Sequence, residues 1–158
     1  MKTAAEKTNA IKAATGAAAA GLVSTVHHWY GAIAYDTPWR LAVSLWIPGF
    51  VLLVLAALYL YWTRPESKSG LIALRIFGLS AVVFQLGFTL FECVYSHVLK
   101  NILFFGGGSE DLLFRLYPPP AYHLPDNLVF EITGLLQLVG LLAAWWAFQV
   151  VRDHYRSA

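Results

Sequence analysis

The stretch LAVSLWIPGFVLLVLAALYLYW, residues 41–62, decides the class of this protein. It contains no charged side chain, and Ser44 is the only polar residue in its middle. A helix needs about 20 predominantly apolar residues to cross the hydrocarbon core of a bilayer, and a spanning segment must satisfy its own backbone hydrogen bonds. This stretch therefore predicts a membrane-spanning helix.

The composition of the whole chain supports that interpretation. Of its 158 residues, 58% are hydrophobic and 13% are charged, and the mean hydropathy is +0.59. In a typical soluble domain about 25% of residues are charged. These values exclude a disordered chain and a basic nucleic-acid-binding domain, and the single cysteine, Cys93, excludes an intrachain disulfide scaffold. We expect an integral membrane protein.

Three further segments predict spanning helices, at residues 13–35, 71–99 and 128–151, and helical structure is expected to continue beyond the third to Phe105. The first segment is rich in alanine and resembles a signal peptide. Its His27-His28-Trp29-Tyr30 sequence is atypical of a signal h-region, so we expect an uncleaved anchor. The predicted fold is an all-α four-transmembrane-helix bundle, one domain over residues 1–158, with a long outer loop between helices 3 and 4.

Positive charges predict the orientation of this bundle, because cytoplasmic loops are enriched in lysine and arginine. One side of the membrane would carry Lys2, Lys7, Lys12, Arg64, Lys68, Arg75, Arg152 and Arg156. The other side would carry Arg40, Lys100 and Arg115. We therefore expect both termini in the cytoplasm. The alanine-rich start and the short loops favour a multi-pass protein of a bacterial inner membrane.

Acidic residues and histidines concentrate near the outer end of the predicted bundle. Ionisable groups at membrane depth are costly unless they meet a partner or water, so they are candidates for function. At 100° per residue, the polar residues of three spans face inward. The candidate catalytic residues are Glu92, Glu131, His28 and His97. The candidate ligand-binding residues are Gln85, Thr89, Ser96, Lys100, His123, Asp126, Asn127 and Tyr35.

Other residues are expected to lie away from this site. His27 is predicted to point about a quarter-turn away from His28. The second span has no polar stripe, and we expect it to face lipid. Arg40 is counted with the charges of the outer surface.

The predicted chemistry is acid–base chemistry on a lipophilic small molecule. Two carboxyls that share a dry cavity do not both ionise, so Glu92 and Glu131 would let one donate a proton while the other accepts one or stabilises a cation. His28 or His97 would be the proton partner. This arrangement favours binding of the molecule, and also its isomerisation or cyclisation.

Three alternatives remain open at this stage. The protein could be an accessory subunit of a larger membrane complex, or a homo-oligomer, that uses the small-residue face of the first span. It could be a metal- or haem-binding redox protein with His28 and His97 as ligands. No Cys-x-x-Cys, His-x-x-x-His or Glu-x-x-His spacing occurs, so no cofactor is favoured. The polar groups could also serve only to satisfy one another.

Overall fold

The computed structural model describes residues 3–157, so Lys2, one residue of the orientation argument, lies outside it. Every regular element within that range is a helix, and the range contains no strand. The helices are α1 (Ala4–Ala34), α2 (Pro38–Thr63), α3 (Lys68–Phe105), α4 (Glu110–Leu116), α5 (Leu128–Leu136) and α6 (Val139–Ser157). The predicted all-α class is confirmed.

Three helical segments are long and apolar enough to cross a membrane: Pro38–Thr63, Lys68–Phe105 and Leu128–Arg156. The exposure of side chains agrees with a lipid environment. Leu45 and Trp46 are 73% and 69% exposed, whereas Arg40 and Lys100 are 5% and 1% exposed. Soluble proteins bury their large apolar residues and expose their charges. The structure is therefore compatible with a helical membrane protein.

α1 is not among these three segments, because alanine and glycine dominate much of its length. The same small residues explain how it packs. Gly16 lies against Ala143 of α6, and Gly21 lies against Val51 of α2, so a β-carbon at either glycine would crowd the neighbouring helix. Small residues permit such close helix approach in membranes. α1 therefore packs between α2 and α6.

The long helices form a ring in which α1 contacts α2, α2 contacts α3, α3 contacts α6 and α6 contacts α1. At the end that contains the turn of residues 64–67, the interior is apolar and includes Leu58, Phe77 and Ala147. At the opposite end the interior is polar. Buried there are His27, His28, Arg40, Ser96, His97 and Lys100. The candidate site lies at this polar end.

α3 departs from α-helical geometry over Ala81–Gly87 and Leu90–Leu99, which are π-helical. A π-helix forms hydrogen bonds from residue i to residue i+5, so each turn holds more residues than an α-turn. The 100° phase therefore does not apply to these segments. Cys93, Ser96 and His97 are all buried, and the inward face of α3 is wider than predicted.

The predicted span 128–151 consists of two helices, α5 and α6, separated by Gln137 and Leu138. The backbone N–H groups of Gln137 and Gly140 donate to carbonyls three residues earlier, at 3.2 and 2.9 Å. Gly140 lies against Thr89 of α3, and a β-carbon there would overlap the threonine side chain. α3 can therefore approach the break between α5 and α6 this closely only because residue 140 is glycine.

The connection from residue 106 to residue 127 lies over the polar end and is held to α3 by two tyrosines. The hydroxyl of Tyr117 donates to the carbonyl of Tyr95 at 3.1 Å, and the hydroxyl of Tyr95 donates to the carbonyl of Leu116 at 2.7 Å. Burial raises the pKa of Tyr117 to about 12, so its phenol remains a neutral donor at physiological pH.

The exposed Leu45 and Trp46 agree with the prediction that α2 faces lipid, but this helix also turns two polar residues inward. Arg40 and Ser44 are 5% and 4% exposed. The guanidinium of Arg40 donates to the carbonyl of Ala121 at 2.7 Å and to Oγ1 of Thr37 at 3.3 Å. Arg40 therefore joins α2 to the loop, because a buried guanidinium needs acceptors that lipid cannot supply.

Candidate functional site

A cavity of about 260 Å³ lies at the polar end, between α1, α2, α3 and the loop. Charged groups and imidazoles share its wall with aromatic rings. Its lining residues are His27, His28, Trp39, Arg40, Phe91, Glu92, Ser96, His97, Lys100, Ala121, Tyr122, Asp126 and Phe130. Ionisable groups that converge on a concave, partly apolar space are typical of binding and catalytic sites.

His28 of α1 and Glu92 of α3 lie side by side in this wall. Nε2 of His28 lies 3.7 Å from Oε1 of Glu92. Nδ1 of His28 lies 2.9 Å from the carbonyl of Ser24, which can only accept, so Nδ1 carries the proton. Nε2 is then able to accept a second proton. The pair can therefore exchange a proton with a molecule in the cavity.

Glu131 of α5 belongs to a second ionic cluster. Its Oε2 accepts hydrogen bonds from Nδ1 of His97 at 2.8 Å and from Nδ2 of Asn101 at 2.7 Å. Its Oε1 lies 2.9 Å from Nζ of Lys100. The ammonium of Lys100 also forms a close ion pair with Asp126. Since Lys100 is 1% exposed, the two carboxylates compensate a charge that is removed from solvent.

The predicted pairing of Glu92 with Glu131 differs from the arrangement that the structure has. Glu92 pairs with His28, whereas Glu131 pairs with His97 and Lys100. A cationic or protonatable partner for each carboxylate is more favourable than two carboxylates side by side. His28 and His97, considered together as haem ligands, are likewise divided between the two pairs.

Two basic residues of the cavity wall, His27 and Arg40, were missed by the sequence analysis. His27 is 1% exposed, and its ring stacks on Phe130 with the centroids 4.1 Å apart. A quarter-turn from His28 does not bring it to lipid, because α2 covers one side of α1 while α5 and α6 cover the other. The feature of the sequence that could have revealed the burial of His27 is the presence of small residues on more than one face of α1.

Three of the predicted ligand-binding residues organise the loop and do not line the cavity. The ring of Tyr35 stacks on that of His123 at 4.1 Å, and its hydroxyl oxygen accepts from the backbone N–H of Asn127 at 2.9 Å. Oδ1 of Asn127 accepts from the N–H of Phe130 at 2.9 Å and caps the start of α5. Of the residues predicted in this loop, Asp126 reaches the cavity.

An apolar slot of about 140 Å³ lies between α1, α2 and α3. Its lining residues are Ala17, Ala20, Gly21, Ser24, Val43, Trp46, Ile47, Phe50, Val51, Val54, Phe84, Gln85, Phe88, Thr89 and Gln137. The side-chain atoms Ser24 Oγ, Gln85 Oε1 and Nε2, and Gln137 Nε2 are buried with no hydrogen-bond partner among the described residues. Such groups in an apolar space indicate a hydrogen-bonding guest or ordered water.

The slot and the cavity adjoin each other along the same three helices, about one helical turn apart. The slot is lined by Ser24 on α1, Val43 on α2 and Thr89 on α3. The cavity is lined by His28, Arg40 and Glu92 on the same helices. The ring of Phe88, in the slot, lies 5.7 Å from the ring of His28, in the cavity. The two spaces therefore lie one above the other along the bundle.

His97, Asp126 and Glu131 each place one metal-ligating atom within 4.8 Å of the other two. Imidazole and carboxylate groups are suitable ligands for zinc or iron. The ammonium of Lys100 contacts both carboxylates, so positive charge is already present at this position. The three residues come from α3, the loop and α5, which is why no sequence motif reveals them.

No known protein family, no curated protein and no solved structure matches this chain. Its function is therefore inferred from the chemistry of its own residues.

Proposed function

We propose that the chain crosses a bacterial inner membrane four times, with both termini in the cytoplasm and the connection of residues 106–127 outside. α1 would be the fourth span. Its 31 residues extend over about 46 Å, more than the roughly 30 Å of the hydrocarbon core. It packs along α2 and α6. Lys7 and Lys12 at its start would lie on the same side as Arg64, as the positive-inside rule requires.

We infer that the bundle binds a lipophilic molecule that has an oxygen-bearing polar head and a hydrocarbon tail. The observation that carries this proposal is the adjacency of the charged cavity and the apolar slot, which are lined by residues about one turn apart on the same three helices. The head would lie in the cavity. The tail would lie in the slot, where the stacked rings of Phe50 and Phe84, with centroids 3.9 Å apart, provide an apolar wall.

The cavity supplies groups that suit an oxygen-bearing head. The guanidinium of Arg40 is a donor that remains charged, and the hydroxyls of Ser96 and Tyr122 lie 3.4 Å from each other. These groups can hold a carbonyl or hydroxyl oxygen. The cations and carboxylates around these groups compensate one another's charge, which is needed where little water is present.

Proton transfer would be performed by His28 and Glu92. Neutral His28 accepts a proton at Nε2, and the carboxylate of Glu92, 3.7 Å away, stabilises the imidazolium that results. Removal and return of a proton beside a carbonyl or a double bond is the step that isomerisation and cyclisation require. Glu131 would act as a positioning residue, because its oxygens hold His97 and Lys100 in place.

The tail-binding part of this proposal is tested by filling the slot. Ala20 lines the slot, and Ala18 is exposed on the same helix. We expect Ala20→Phe to lower labelling by a long-chain fatty alcohol that carries a mid-chain diazirine and a terminal alkyne, by at least about tenfold. Ala18→Phe, the matched control, should be labelled like wild type. Equal labelling of both variants would exclude the slot as the tail site.

The head-binding part is tested with Glu92→Gln, which keeps the side-chain shape and removes the charge. We expect the same photoprobe to label this variant several-fold less, whereas Glu66→Gln, at an exposed acid of the opposite end, should match wild type. Undiminished labelling of Glu92→Gln would overturn the role of the pair. A wild-type protein that is never labelled, and that is isolated only with a second chain, would favour an accessory-subunit role.

A further inference from the structure

Two imidazoles meet inside the bundle. His27 of α1 and His97 of α3 are each 1% exposed, and their Nε2 atoms lie 3.4 Å apart. The two rings are nearly perpendicular, at 79°, with centroids 4.9 Å apart. What lies between these two nitrogens depends on where the protons of each ring are.

The contacts of Thr133 determine the tautomer of His27. The hydroxyl of Thr133 donates its proton to the backbone carbonyls of Val129 and Phe130, at 2.9 and 3.1 Å. Its oxygen is therefore an acceptor for Nδ1 of His27, which lies 3.0 Å away. The proton of His27 is on Nδ1, and Nε2 presents a lone pair.

The contact with Glu131 determines the proton on Nδ1 of His97. A carboxylate only accepts hydrogen bonds, so Nδ1 of His97, 2.8 Å from Oε2 of Glu131, donates. In its neutral form His97 also presents a lone pair at Nε2. Gly134 lies directly against this ring, where any β-carbon would overlap it, so the ring is held in position.

Two lone pairs that face each other at 3.4 Å repel, and a cation between them removes the repulsion. Charges of both signs surround the two rings. Two basic side chains, Arg40 and Lys100, share the cavity and its second cluster with three carboxylates. These carboxylates are Glu92, Asp126 and Glu131.

The separation of the nitrogens, 3.4 Å, is long for a hydrogen bond and fits two ligands of one metal ion. An N–H···N hydrogen bond is normally shorter, near 3.0 Å, as for other N–H donors. Two imidazole nitrogens that each lie about 2.0–2.1 Å from a tetrahedral zinc ion are separated by about 3.4 Å. A carboxylate on Nδ1 of a ligating histidine, as Glu131 provides for His97, is the usual outer partner in zinc sites.

We propose that Nε2 of His27 and Nε2 of His97 bind a divalent transition-metal ion, with zinc as the best fit. Both residues line the cavity, so the remaining coordination positions would be open to it. A bound molecule would place an oxygen at such a position, where the metal ion would polarise it. Only this consequence rests on the proposed function. We do not expect the ion between Asp126 and Glu131, because the ammonium of Lys100 already neutralises these carboxylates.

The test is metal binding by the full-length protein in detergent, after treatment with a chelator and dialysis against zinc. We expect one zinc per chain by elemental analysis, and loss of at least about tenfold in affinity for His27→Gln and for His97→Gln. His154→Gln, at the opposite end of the bundle, should bind like wild type. Asp126→Asn should also retain zinc, whereas loss of zinc in that variant would move the site to Asp126 and overturn the proposal.

A second measurement on the wild-type protein does not depend on whether the variants fold. X-ray absorption of the zinc-loaded protein should give two imidazole nitrogens at about 2.0–2.1 Å. Absence of bound zinc, with His97 protonated on both nitrogens by ¹⁵N NMR, would overturn the proposal and place a shared proton between the rings. Zinc binding is measured without the lipophilic probe, so failure here leaves the slot proposal standing, and the reverse is also true.

Discussion

His28 and Glu92 approach each other to 3.7 Å in the wall of the charged cavity, about one helical turn from the residues that line the apolar slot. The carboxylates of Glu92 and Glu131 are similarly exposed, at 17% and 13%, but Glu131 contacts the ammonium of Lys100, which is 1% exposed, whereas Glu92 contacts the imidazole of His28. A neutral imidazole can exchange a proton with a guest, whereas a buried ammonium requires carboxylates that compensate its charge. The two clusters thus differ in what they can do, although both combine carboxylates with histidine.

This difference predicts opposite sensitivities for two similar substitutions. Glu131→Gln removes the carboxylate that His97 contacts and leaves Lys100 paired with Asp126, and we expect a destabilisation of about 3 kcal/mol, the upper end of the cost of leaving a buried polar group without its partner. Glu92→Gln should cost about 1 kcal/mol or less, because its partner His28 can remain neutral. Thermal unfolding of the purified proteins measures both. Equal losses would contradict the division into two clusters.

Gly134 supplies a test of the packing around His97. A β-carbon at this position would overlap the imidazole ring, whereas one at Gly49 would have no atom within 4 Å. We expect Gly134→Ala to destabilise the protein by about 1–3 kcal/mol, as overpacking does. Gly49→Ala, also within a helix, should be neutral or stabilising by up to about 1 kcal/mol. A harmless Gly134→Ala variant would mean that His97 is not held as described.

Arg40 is predicted to anchor the outer loop. Arg40→Met removes the donor to the carbonyl of Ala121, so the backbone near that residue should exchange its amide hydrogens faster. Arg115→Met is the matched control, since Arg115 is 74% exposed and pairs only with the exposed Asp111. Hydrogen–deuterium exchange reports the difference. Unchanged exchange over residues 118–127 in Arg40→Met would show that the loop is held by other contacts.

The orientation across the membrane is tested with single cysteines. The native Cys93 is fully buried and should give little background. In intact cells, an impermeant thiol reagent should label Glu110→Cys in the outer connection. It should label Glu66→Cys, in the turn at the other end, only after permeabilisation. The reverse pattern would invert the proposed topology.

Hydropathy was sufficient to predict the three helical segments that are long and apolar enough to cross a membrane, because stretches such as residues 41–62 contain no charged side chain. Hydropathy was not sufficient for α1, because alanine adds little to the mean hydropathy of this helix. Its packing depends instead on the shape of small residues such as Gly16 and Gly21. The break between α5 and α6 also leaves no clear mark, since Gln137 and Leu138 are acceptable within any helix.

The site was predicted in part. The polar stripe that includes Gln85, Thr89 and Ser96 is buried, as a stripe that faces inward would be. His27 was missed because a fixed 100° phase assigns one inward face per helix, whereas α1 is covered on two sides. Partners that come from separate helices have no sequence spacing, so the pairing of Glu92 with His28 could not be derived from the chain alone.

The central claim is that one elongated guest lies in both spaces, and a high-resolution cryo-EM map of the protein in native lipid, extracted without detergent, tests it most directly. We predict continuous density that begins beside His28 and Glu92 and extends into the slot between Phe50 and Phe84. A well-resolved map in which the two spaces are separated by side chains, or in which neither contains density, would contradict the claim.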